Sequence, residues 1–328
     1  MAGRGTRLRP HTLTVPKPLV KVAGKSIVHR LVEDLAAAYG GKIEEIAFII
    51  GDFGPGVEQD LLDLAARLGA KGHVVQQTEK LGTAHAILCA KQCLSGPVIV
   101  AFADTLFDSN FELDVEQDGV LWVQKIEDPS AYGVVTLDEA GFVTEFVEKP
   151  TNFVSDLAII GIYYFKDGDF LKQELQYLID NKIMQKGEYQ ITNALENMKA
   201  KGKKFRTQAI DEWLDCGNKK AVVYANQRVL TIKEDAAKVA DSVQTTNSII
   251  IPPCYIADNV VIKNSVIGPH VSIGENSVIE NAIISNSLLQ HNVTLSNVLL
   301  ENSMLGSHTT GQGSKSDLSI SDYSTFKQ

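Results

Sequence analysis

Two hydrophobic patterns follow one another along the chain. Up to about residue 210, short apolar runs alternate with longer stretches in which apolar residues recur every three or four positions. The short runs predict buried strands and the longer stretches predict amphipathic helices. Strands are predicted at 45–50, 73–77 and 98–104, and helices at 27–38, 57–68 and 83–94. This alternation predicts an α/β domain with a mainly parallel sheet and helices on both faces.

The stretch from Gly119 to Phe165 is richer in strands than the rest of this part. We expect it to add strands to the sheet and to form a small antiparallel lobe. The predicted strands are 120–125, 134–137, 143–147 and 158–165. Further helices are predicted at 170–181, 190–199 and 219–232.

From about residue 241 an aliphatic residue recurs every five or six positions. The ten anchors of this repeat are Ile256, Ile262, Ile267, Ile273, Ile279, Ile284, Leu289, Leu295, Leu300 and Leu305. Asn264, Asn281, Asn286 and Asn302 occupy recurring positions where a corner with positive φ suits asparagine. The pattern predicts a short parallel β-helix of about three coils.

Composition and charge narrow the classes of function. The 328 residues predict two domains, and the net charge of −9 argues against a general nucleic-acid or membrane-surface binder. No apolar run is long enough to span a bilayer. The four cysteines show no CxxC spacing, which is typical of reduced thiols. We therefore expect a soluble cytoplasmic protein that binds neither nucleic acid nor membrane.

The start of the chain departs from this acidic average. Seven basic residues precede the first acid, Glu33, and they include Arg7 and Lys17. The segment begins with Gly3 and Gly5, and glycines let backbone N–H groups approach an anion closely. We interpret it as a local site for a polyphosphate.

Several later segments resemble, in order, those of the sugar-phosphate nucleotidyltransferases, which include glucose-1-phosphate thymidylyltransferases and uridylyltransferases. The segments are Gln77 with Leu81–Ala86, Ala101–Asp104, Tyr132–Val134, Glu148–Pro150, Gly161–Tyr163 and Trp213–Gly217. The resemblance covers nearly the whole chain. It implies a Rossmann-like catalytic domain over residues 1–240, and a left-handed hexapeptide-repeat β-helix with a tail over residues 241–328.

The resemblance also implies a reaction, in which a nucleoside triphosphate and a sugar 1-phosphate give an NDP-sugar and pyrophosphate. The favoured substrates are dTTP or UTP and glucose 1-phosphate. By resemblance, the backbone from Gly3 through Gly5 to Thr6 would hold the β- and γ-phosphates together with Arg7. Lys17 would contact the α-phosphate and Lys149 the sugar phosphate, so that Arg7, Lys17 and Lys149 are the implied catalytic cations.

The remaining implied roles concern metal, base and sugar. Asp104 and Asp215 would share Mg²⁺, and Gln77 and Gly82 would form the base pocket. The sugar would be bound at Tyr132, Gly133, Glu148, Gly161 and Tyr163. A glutamine amide can pair with uracil, thymine or guanine, so the base stays open.

Other interpretations compete with this one. A mannose-1-phosphate guanylyltransferase fits the same motifs. A non-catalytic regulatory or scaffold relative would be expected to lose the metal carboxylates or the phosphate cations, and this chain retains them. An acyltransferase site in the β-helix, with His270, His291 or His308 as base, is disfavoured because the coils form a short platform without a long inserted loop.

The family has an apolar strand before the glycine-rich loop, whereas only Met1 and Ala2 precede Gly3 here. We therefore expect the true start to lie upstream, with the first β-strand of the sheet missing from the sequence as written. The sequence does not give the oligomeric state, although the open coil ends and flat faces of a β-helix are compatible with a homo-oligomer.

Overall fold

The computed structural model describes residues 5–108, 113–233, 235–313, 315–316 and 318–327. The chain divides into two units, of which the first contains Leu31–Trp213. The second unit joins Arg4–Arg30 to Leu214–Gln328. Gly3, a predicted phosphate-binding residue, lies outside the described residues, as do Met1 and Ala2 before it.

The described helices follow the predicted periodicity closely. Their bounds are α1 (Ile27–Tyr39), α2 (Pro55–Arg67), α3 (Thr83–Cys89), α4 (Gly168–Asp180), α5 (Ile191–Ala200) and α6 (Lys219–Ile232). Side-chain caps begin two of them, since Asp167 accepts a hydrogen bond from Phe170 N and Asn218 accepts one from Ala221 N. Among the described helices, none combines the length and hydrophobicity that a bilayer span requires.

Among the residues that the structure describes, the α/β part contains twelve strands in chain order. They are β1 (Lys21–Val22), β2 (Lys25–Ser26), β3 (Glu45–Ile50), β4 (Lys71–Gln76), β5 (Val98–Ala101), β6 (Thr105–Asp108), β7 (Gly119–Lys125), β8 (Gly133–Leu137), β9 (Val143–Glu148), β10 (Leu157–Phe165), β11 (Phe205–Ala209) and β12 (Glu212–Asp215). The α/β class predicted from the alternating pattern is confirmed.

The pairing of these strands is more mixed than the sequence pattern indicated. Strands β3 and β4 form a parallel pair, and a six-stranded sheet has the order β11-β7-β10-β8-β9 with β5 also paired to β10. Within this larger sheet β11 and β7 run parallel, whereas β10 pairs antiparallel with β5, β7 and β8, and β8 pairs antiparallel with β9. Antiparallel pairing therefore extends through the larger sheet and is not confined to a small lobe. The cause is that β10 returns between β7 and β8 and also pairs with β5.

The core of the first unit lies between this sheet and helices α3, α4 and α5. Alternate residues of one strand share a face, and Leu121 and Val123 of β7 both enter the core beside Phe165 of β10. Leu175 and Leu195 approach from α4 and α5. The apolar faces of the helices and of the sheet thus pack together in one layer, which holds the strand ends in place.

The second unit contains a parallel β-helix, in which sixteen short strands are described. They are β13 (Gln244–Thr246), β14 (Ile249–Ile250), β15 (Cys254–Ile256), β16 (Val261–Lys263), β17 (Val266–Ile267), β18 (Val271–Ile273), β19 (Val278–Glu280), β20 (Ile283–Ser285), β21 (Leu288–Leu289), β22 (Thr294–Ser296), β23 (Leu299–Glu301), β24 (Met304–Leu305), β25 (Thr310–Gln312), β26 (Lys315–Ser316), β27 (Ser319–Ile320) and β28 (Thr325–Lys327). All ten predicted anchors are buried, each at most 1% exposed.

The predicted number of about three coils is wrong. The three parallel ladders contain six, five and five strands, which makes five complete coils and one further strand among the described residues. The outer coils were missed because some of their inward positions carry no large aliphatic residue. In one ladder Thr245 and Gly311 take the positions that Ile262, Ile279 and Leu295 hold in the inner coils.

The predicted asparagine corners are confirmed. Asn264, Asn281, Asn286 and Asn302 all have positive φ, between 38° and 52°. Their side chains also bond from coil to coil, since Asn264 Nδ2 donates to Asn281 Oδ1 at 3.2 Å and Asn286 Nδ2 donates to Asn302 Oδ1 at 2.7 Å. Asparagine therefore both allows the left-handed turn and links successive turns.

Candidate active site

The predicted base-pocket residue Gln77 follows the carboxyl end of β4 and is 7% exposed. Its backbone N–H donates to Ile50 O at 2.8 Å, which extends the pairing with β3. Its Nε2 donates to Gly82 O at 3.2 Å and lies 3.1 Å from His85 Nδ1. A carbonyl oxygen only accepts, so this contact fixes which end of the amide is the NH₂ group. No described residue donates to Gln77 Oε1, which leaves an acceptor in a nearly buried position.

Gly82 begins the turn into α3 and has a backbone conformation that suits glycine. Its φ is +103°, and a Cβ placed there would come within 2.5 Å of Tyr189 O. The turn is also bonded to the segment before α5, since Ala84 N donates to Tyr189 O and Tyr189 N donates to Leu81 O. The base-pocket turn is therefore held by a backbone segment about a hundred residues further along the chain.

Asp104 lies half-buried in the turn between β5 and β6, at the end of the predicted strand 98–104. Two hydrogen bonds flank it, from Phe102 N to Gly161 O at 2.9 Å and from Thr105 Oγ1 to Ile160 O at 2.8 Å. Gly161 sits where the register between β10 and β7 shifts, with φ +85°. A bulge of this kind bends the strand, and here the two hydrogen bonds connect the bulged region of β10 to the turn that contains Asp104.

The predicted sugar-phosphate residues come together at the ends of β8 and β9. Gly133 and Glu148 are directly paired, and a Cβ on Gly133 would lie 3.2 Å from Glu148 Oε2. Glu148 Oε2 accepts from Thr192 Oγ1 at 3.4 Å, and Glu148 Oε1 lies 3.4 Å from Lys149 Nζ. Glu148 is largely shielded, with 13% of its side chain exposed against 46% for Lys149. The arrangement combines a held carboxylate with an accessible ammonium group.

Tyrosines border this group. Tyr163 is buried, and burial is the main cause that raises the pKa of its hydroxyl, with the charge of Glu148 adding to it. Tyr163 therefore stays neutral and can act as a hydrogen-bond donor. The backbone of Tyr132 accepts from Lys149 N at 3.0 Å, and its ring packs edge-on against Trp213.

In the second unit, the glycine-rich start forms two short 3₁₀ turns, Thr6–Leu8 and His11–Leu13. Gly5 has φ +57°, and a Cβ there would lie 3.1 Å from Lys17 Cβ. Thr12 Oγ1 donates to Gly5 O at 2.7 Å and closes the loop. The predicted cations differ in environment, because Arg7 is exposed whereas Lys17 is 8% exposed.

This loop is attached to the fifth coil of the β-helix, within the same unit. His11 Nε2 lies 3.3 Å from Ser319 Oγ, Thr14 Oγ1 donates to Asp322 Oδ2 at 2.5 Å, and Ser321 Oγ donates to Pro10 O at 3.2 Å. Burial lowers the pKa of His11 from 6.5 to about 4, although nearby Asp322 opposes this effect. The segment with the predicted phosphate-binding residues thus depends on the last coil for its packing.

Two of the seven early basic residues have a structural use. Arg30 is buried and donates from Nε to Val22 O at 2.8 Å and from Nη2 to Ala23 O at 2.5 Å. Lys21 Nζ lies 3.3 Å from Glu275 Oε1 on the β-helix. Strands β1 and β2 form a hairpin, and its turn is bonded by the fully buried Asn226, whose Oδ1 accepts from Ala23 N and from Ser272 Oγ. Fewer of the seven basic residues are therefore available to bind an anion than the sequence predicted.

Asp215 ends β12 in the second unit and is half-buried. Gly217 follows closely, and a Cβ on it would lie 2.8 Å from Asp215 Oδ2. Asp104 and Asp215 both offer carboxylate oxygens, the donors that hard divalent cations prefer, so the donor chemistry of the two residues fits such an ion.

The structure thus brings the predicted residues into local groups. Gln77 meets Gly82, Gly133 meets Glu148 and Lys149, and Gly5 meets Lys17, as the contacts above show. His85 was predicted only as part of the family segment Leu81–Ala86, and no role was predicted for Thr192 or the Tyr189 backbone. These residues act as supports, and no local sequence signal marks a support that comes from a distant part of the chain.

Comparison with known proteins agrees with this architecture. Residues 1–232 match the model of the family described as "Nucleotidyl transferase", and the chain belongs to this family. The family acts on nucleoside triphosphates and sugar 1-phosphates and generally uses a divalent metal ion.

Individual relatives carry different names. A "Bifunctional protein GlmU" of Methanococcus maripaludis is 27% identical over 255 residues, which are 76% of this chain and 58% of that protein. A "Glucose-1-phosphate thymidylyltransferase" of Streptomyces antibioticus is 29% identical over 310 residues, 88% of this chain and 85% of that protein. The chain thus spans less than two thirds of the length of the GlmU relative.

A solved structure supports the fold alone. The nucleoside-diphosphate-sugar pyrophosphorylase of Vibrio cholerae RC9 aligns with a TM-score of 0.59 at 22% identity, covering 69% of this chain and 98% of that one.

Proposed function

We propose that this chain is a sugar-1-phosphate nucleotidyltransferase that converts UTP or dTTP and glucose 1-phosphate into an NDP-glucose and pyrophosphate. The observation that carries the proposal is the Gln77 amide, whose Nε2 is engaged by Gly82 and His85 while Oε1 accepts nothing from the described residues. Such an acceptor suits a base that presents a ring N–H donor on its pairing edge. The N3–H of uracil or thymine is one, and guanine offers another at N1.

The proposed reaction is an in-line displacement. An oxygen of the sugar phosphate forms a bond to the α-phosphorus, and the bond from this phosphorus to the bridging oxygen breaks as pyrophosphate leaves. Two anions must approach each other, so the main task of the protein is to hold them and offset their repulsion. A Mg²⁺ ion held by Asp104 and Asp215 would supply positive charge for the phosphate oxygens.

Each cation has a proposed place in this reaction. Lys149 binds the phosphate of the sugar, and Lys17 binds the α-phosphate, where its burial strengthens the charge interaction. Arg7 and the backbone of Gly5 and Thr6 hold the two phosphates that leave. The φ of Lys149 is positive, 46°, and turns the chain sharply at the end of β9.

The sugar is proposed to lie against the end of the β8–β9 pair. Glu148 accepts hydrogen bonds from sugar hydroxyls, and Thr192 and Lys149 hold its carboxylate in position. Gly133 leaves room beside that carboxylate because any side chain would begin 3.2 Å from Oε2. Gly161, Tyr132 and Tyr163 are proposed to complete the sugar pocket.

The proposal extends to the parts of the chain. Residues 1–240 carry the transfer chemistry, and residues 241–328 form the β-helix and tail, which mediates association of copies. A cytoplasmic location stays a prediction from cysteine usage. Sedimentation of the purified chain tests the association, and a single monomeric species across concentrations would contradict it.

A pyrophosphate-release panel tests the function directly. UTP, dTTP, GTP and ATP are each combined with glucose 1-phosphate, mannose 1-phosphate and N-acetylglucosamine 1-phosphate in the presence of Mg²⁺. We expect turnover with UTP or dTTP and glucose 1-phosphate. Turnover with GTP and mannose 1-phosphate alone would favour the guanylyltransferase, and none with any pair would overturn the enzymatic proposal in favour of a scaffold.

Two refinements test the residue roles. Lys149→Gln should lower kcat/KM for the sugar phosphate by about a hundredfold or more, whereas Lys125→Gln, at an exposed lysine of β7, should not. A UTP analogue methylated at N3 removes the donor that Gln77 Oε1 would accept, and its kcat/KM should fall about tenfold to a hundredfold. Equal use of UTP and the methylated analogue would contradict the proposed base contact.

A further inference from the structure

Three side chains with different metal-binding atoms meet on the first unit, outside the residues discussed above. They are Glu45 at the start of β3, His73 within β4 and Cys93 at the end of the 3₁₀ turn Lys91–Cys93. One ligand atom from each lies within 4.8 Å of the others. Glu45 and His73 lie toward the amino-terminal half of this parallel pair, whereas Gln77 follows its carboxyl end, so the cluster is distinct from the proposed base pocket.

The spacing fits a small coordination sphere. Ligands at about 2.1 Å from a tetrahedral Zn²⁺ lie about 3.4 Å from one another. His73 Nε2 lies 3.4 Å from Glu45 Oε1, and the other pairs of ligand atoms, at most 4.8 Å apart, would close by about 1.4 Å or less to reach the tetrahedral spacing. The regular pairing of β3 with β4 places Glu45 and His73 on one face of the sheet, because Ala47, two residues after Glu45, pairs with His73.

The imidazole supplies a second observation. Nε2 of His73 is shielded from solvent and lies 3.4 Å from Glu45 Oε1. A shielded ring nitrogen that faces a carboxylate and a thiol is positioned to act as a metal ligand. The Cys93 backbone is fixed in its turn by a hydrogen bond from Cys93 N to Ala90 O at 2.9 Å.

We propose that Glu45, His73 and Cys93 form a site for a transition-metal ion of the Zn²⁺ class, with water as the fourth ligand. Thiolate and imidazole select Zn²⁺ or Co²⁺ over Mg²⁺, which prefers oxygen ligands. The site therefore takes a different metal from the one proposed at Asp104 and Asp215. When bound, the ion joins β3, β4 and the segment after α3, three pieces that are separate along the chain.

Lys71 is the competing group at this site. Its Nζ lies 3.6 Å from Glu45 Oε1 while 70% of its side chain is exposed, so it can swing into solvent when a metal takes the carboxylate. Lys71→Gln removes this competitor and should tighten Zn²⁺ binding by up to about fivefold.

The test uses the full chain, freed of metal with a chelator and then titrated with Co²⁺ or Zn²⁺ alone. We expect one Co²⁺ per chain with thiolate-to-cobalt charge-transfer absorption, a rise in Tm with Zn²⁺, and no competition from excess Mg²⁺. Cys93→Ser should abolish the absorption, and His73→Gln should weaken Zn²⁺ binding about a hundredfold or more, since lost supporting contacts alone cost about 10- to 100-fold. Cys89→Ser is the matched control, because Cys89 is also half-buried and lies four residues away.

A measurement on the unaltered chain keeps the proposal testable if a variant fails to fold. Zn²⁺ should protect Cys93 from alkylation, as located by mass spectrometry, while Cys89 reacts at an unchanged rate. Absence of the cobalt absorption, its persistence in Cys93→Ser, or equal protection of both cysteines would overturn the proposal. Nucleotidyl transfer is not a readout here, so the outcome is independent of the proposed enzymatic function.

Discussion

Protonation of His11 should loosen the proposed phosphate loop from the β-helix. The side chain is 4% exposed and packs beside Ser319 of the fifth coil. Burial lowers its pKa from 6.5 to about 4, so the folded protein binds this proton more weakly than the unfolded chain does. Stability due to neutral His11 is therefore fully present above pH 6.5 and is lost as the pH falls from 6.5 through 4.

The size of the effect follows from these two values. Each pH unit across the window is worth about 1.4 kcal/mol, so the interval from 6.5 to about 4 corresponds to a loss of about 3 kcal/mol. That is a large part of the stability of an ordinary domain, which is about 5–15 kcal/mol. Because the same segment carries Gly5, Arg7 and Lys17, we also expect KM for the nucleoside triphosphate to rise over this range.

The assay compares the wild-type chain with His11→Gln, which has no titrating group at this position. Urea unfolding, followed by circular dichroism, is measured from pH 7.5 to about 4. Burial also lowers the pKa of His270 and His291, but both groups are present in the two proteins and cancel in the difference. The wild-type chain should lose about 3 kcal/mol more than the variant across the window. Parallel stability curves for the two proteins would refute the reasoning, whatever their offset at pH 7.5.

Three other predictions concern the supports of the fold and the site. Gly82→Ala places a Cβ 2.5 Å from Tyr189 O at φ +103°, so it should lower the free energy of unfolding by about 1–3 kcal/mol in thermal unfolding and raise KM for the nucleotide. An unchanged KM would show that this turn does not form part of the base pocket. Ile273→Ala removes a fully buried anchor between Ile256 and Leu289, so it should lower the free energy of unfolding in urea by about 2–5 kcal/mol. A loss below about 1 kcal/mol would show that the coil collapses around the cavity. Lys201→Met leaves the 2%-exposed carboxylate of Glu174 without its ammonium partner at 2.6 Å, so it should lower the free energy of unfolding by about 3–5 kcal/mol. Lys182→Met, at a lysine in the turn after α4, is the control that should leave Tm unchanged.

Elements set by neighbours along the chain were predictable. The bounds of α6 agree with the prediction, and each β-helix anchor lies in the interior, because a repeated local pattern meets the same environment on every coil. Where the repeat loses its aliphatic residues, the prediction of the number of coils failed. Gly311 carries no aliphatic side chain, yet it stacks under Leu295 through backbone pairing alone, and for this reason the number of coils was underestimated.

The candidate site shows the same division. Glycines with positive φ, such as Gly5, Gly82 and Gly161, were identifiable from their motifs, and the structure gives each a conformation or a close contact that suits glycine. The uses of the basic residues were not identifiable. Arg30 belongs to the same charged stretch as Arg7, but its guanidinium is buried against backbone carbonyls of the hairpin while Arg7 is exposed.

By itself, the sequence determined the class of fold, the solenoid and the order of the family motifs, because periodicity and turn chemistry act over a few residues. The tertiary structure decided which strands pair, how many coils form and which side chains support the site. Thr192 behind Glu148 and Ser319 beside His11 come from distant parts of the chain. Such contacts depend on how whole elements pack, and no short stretch of sequence encodes that packing.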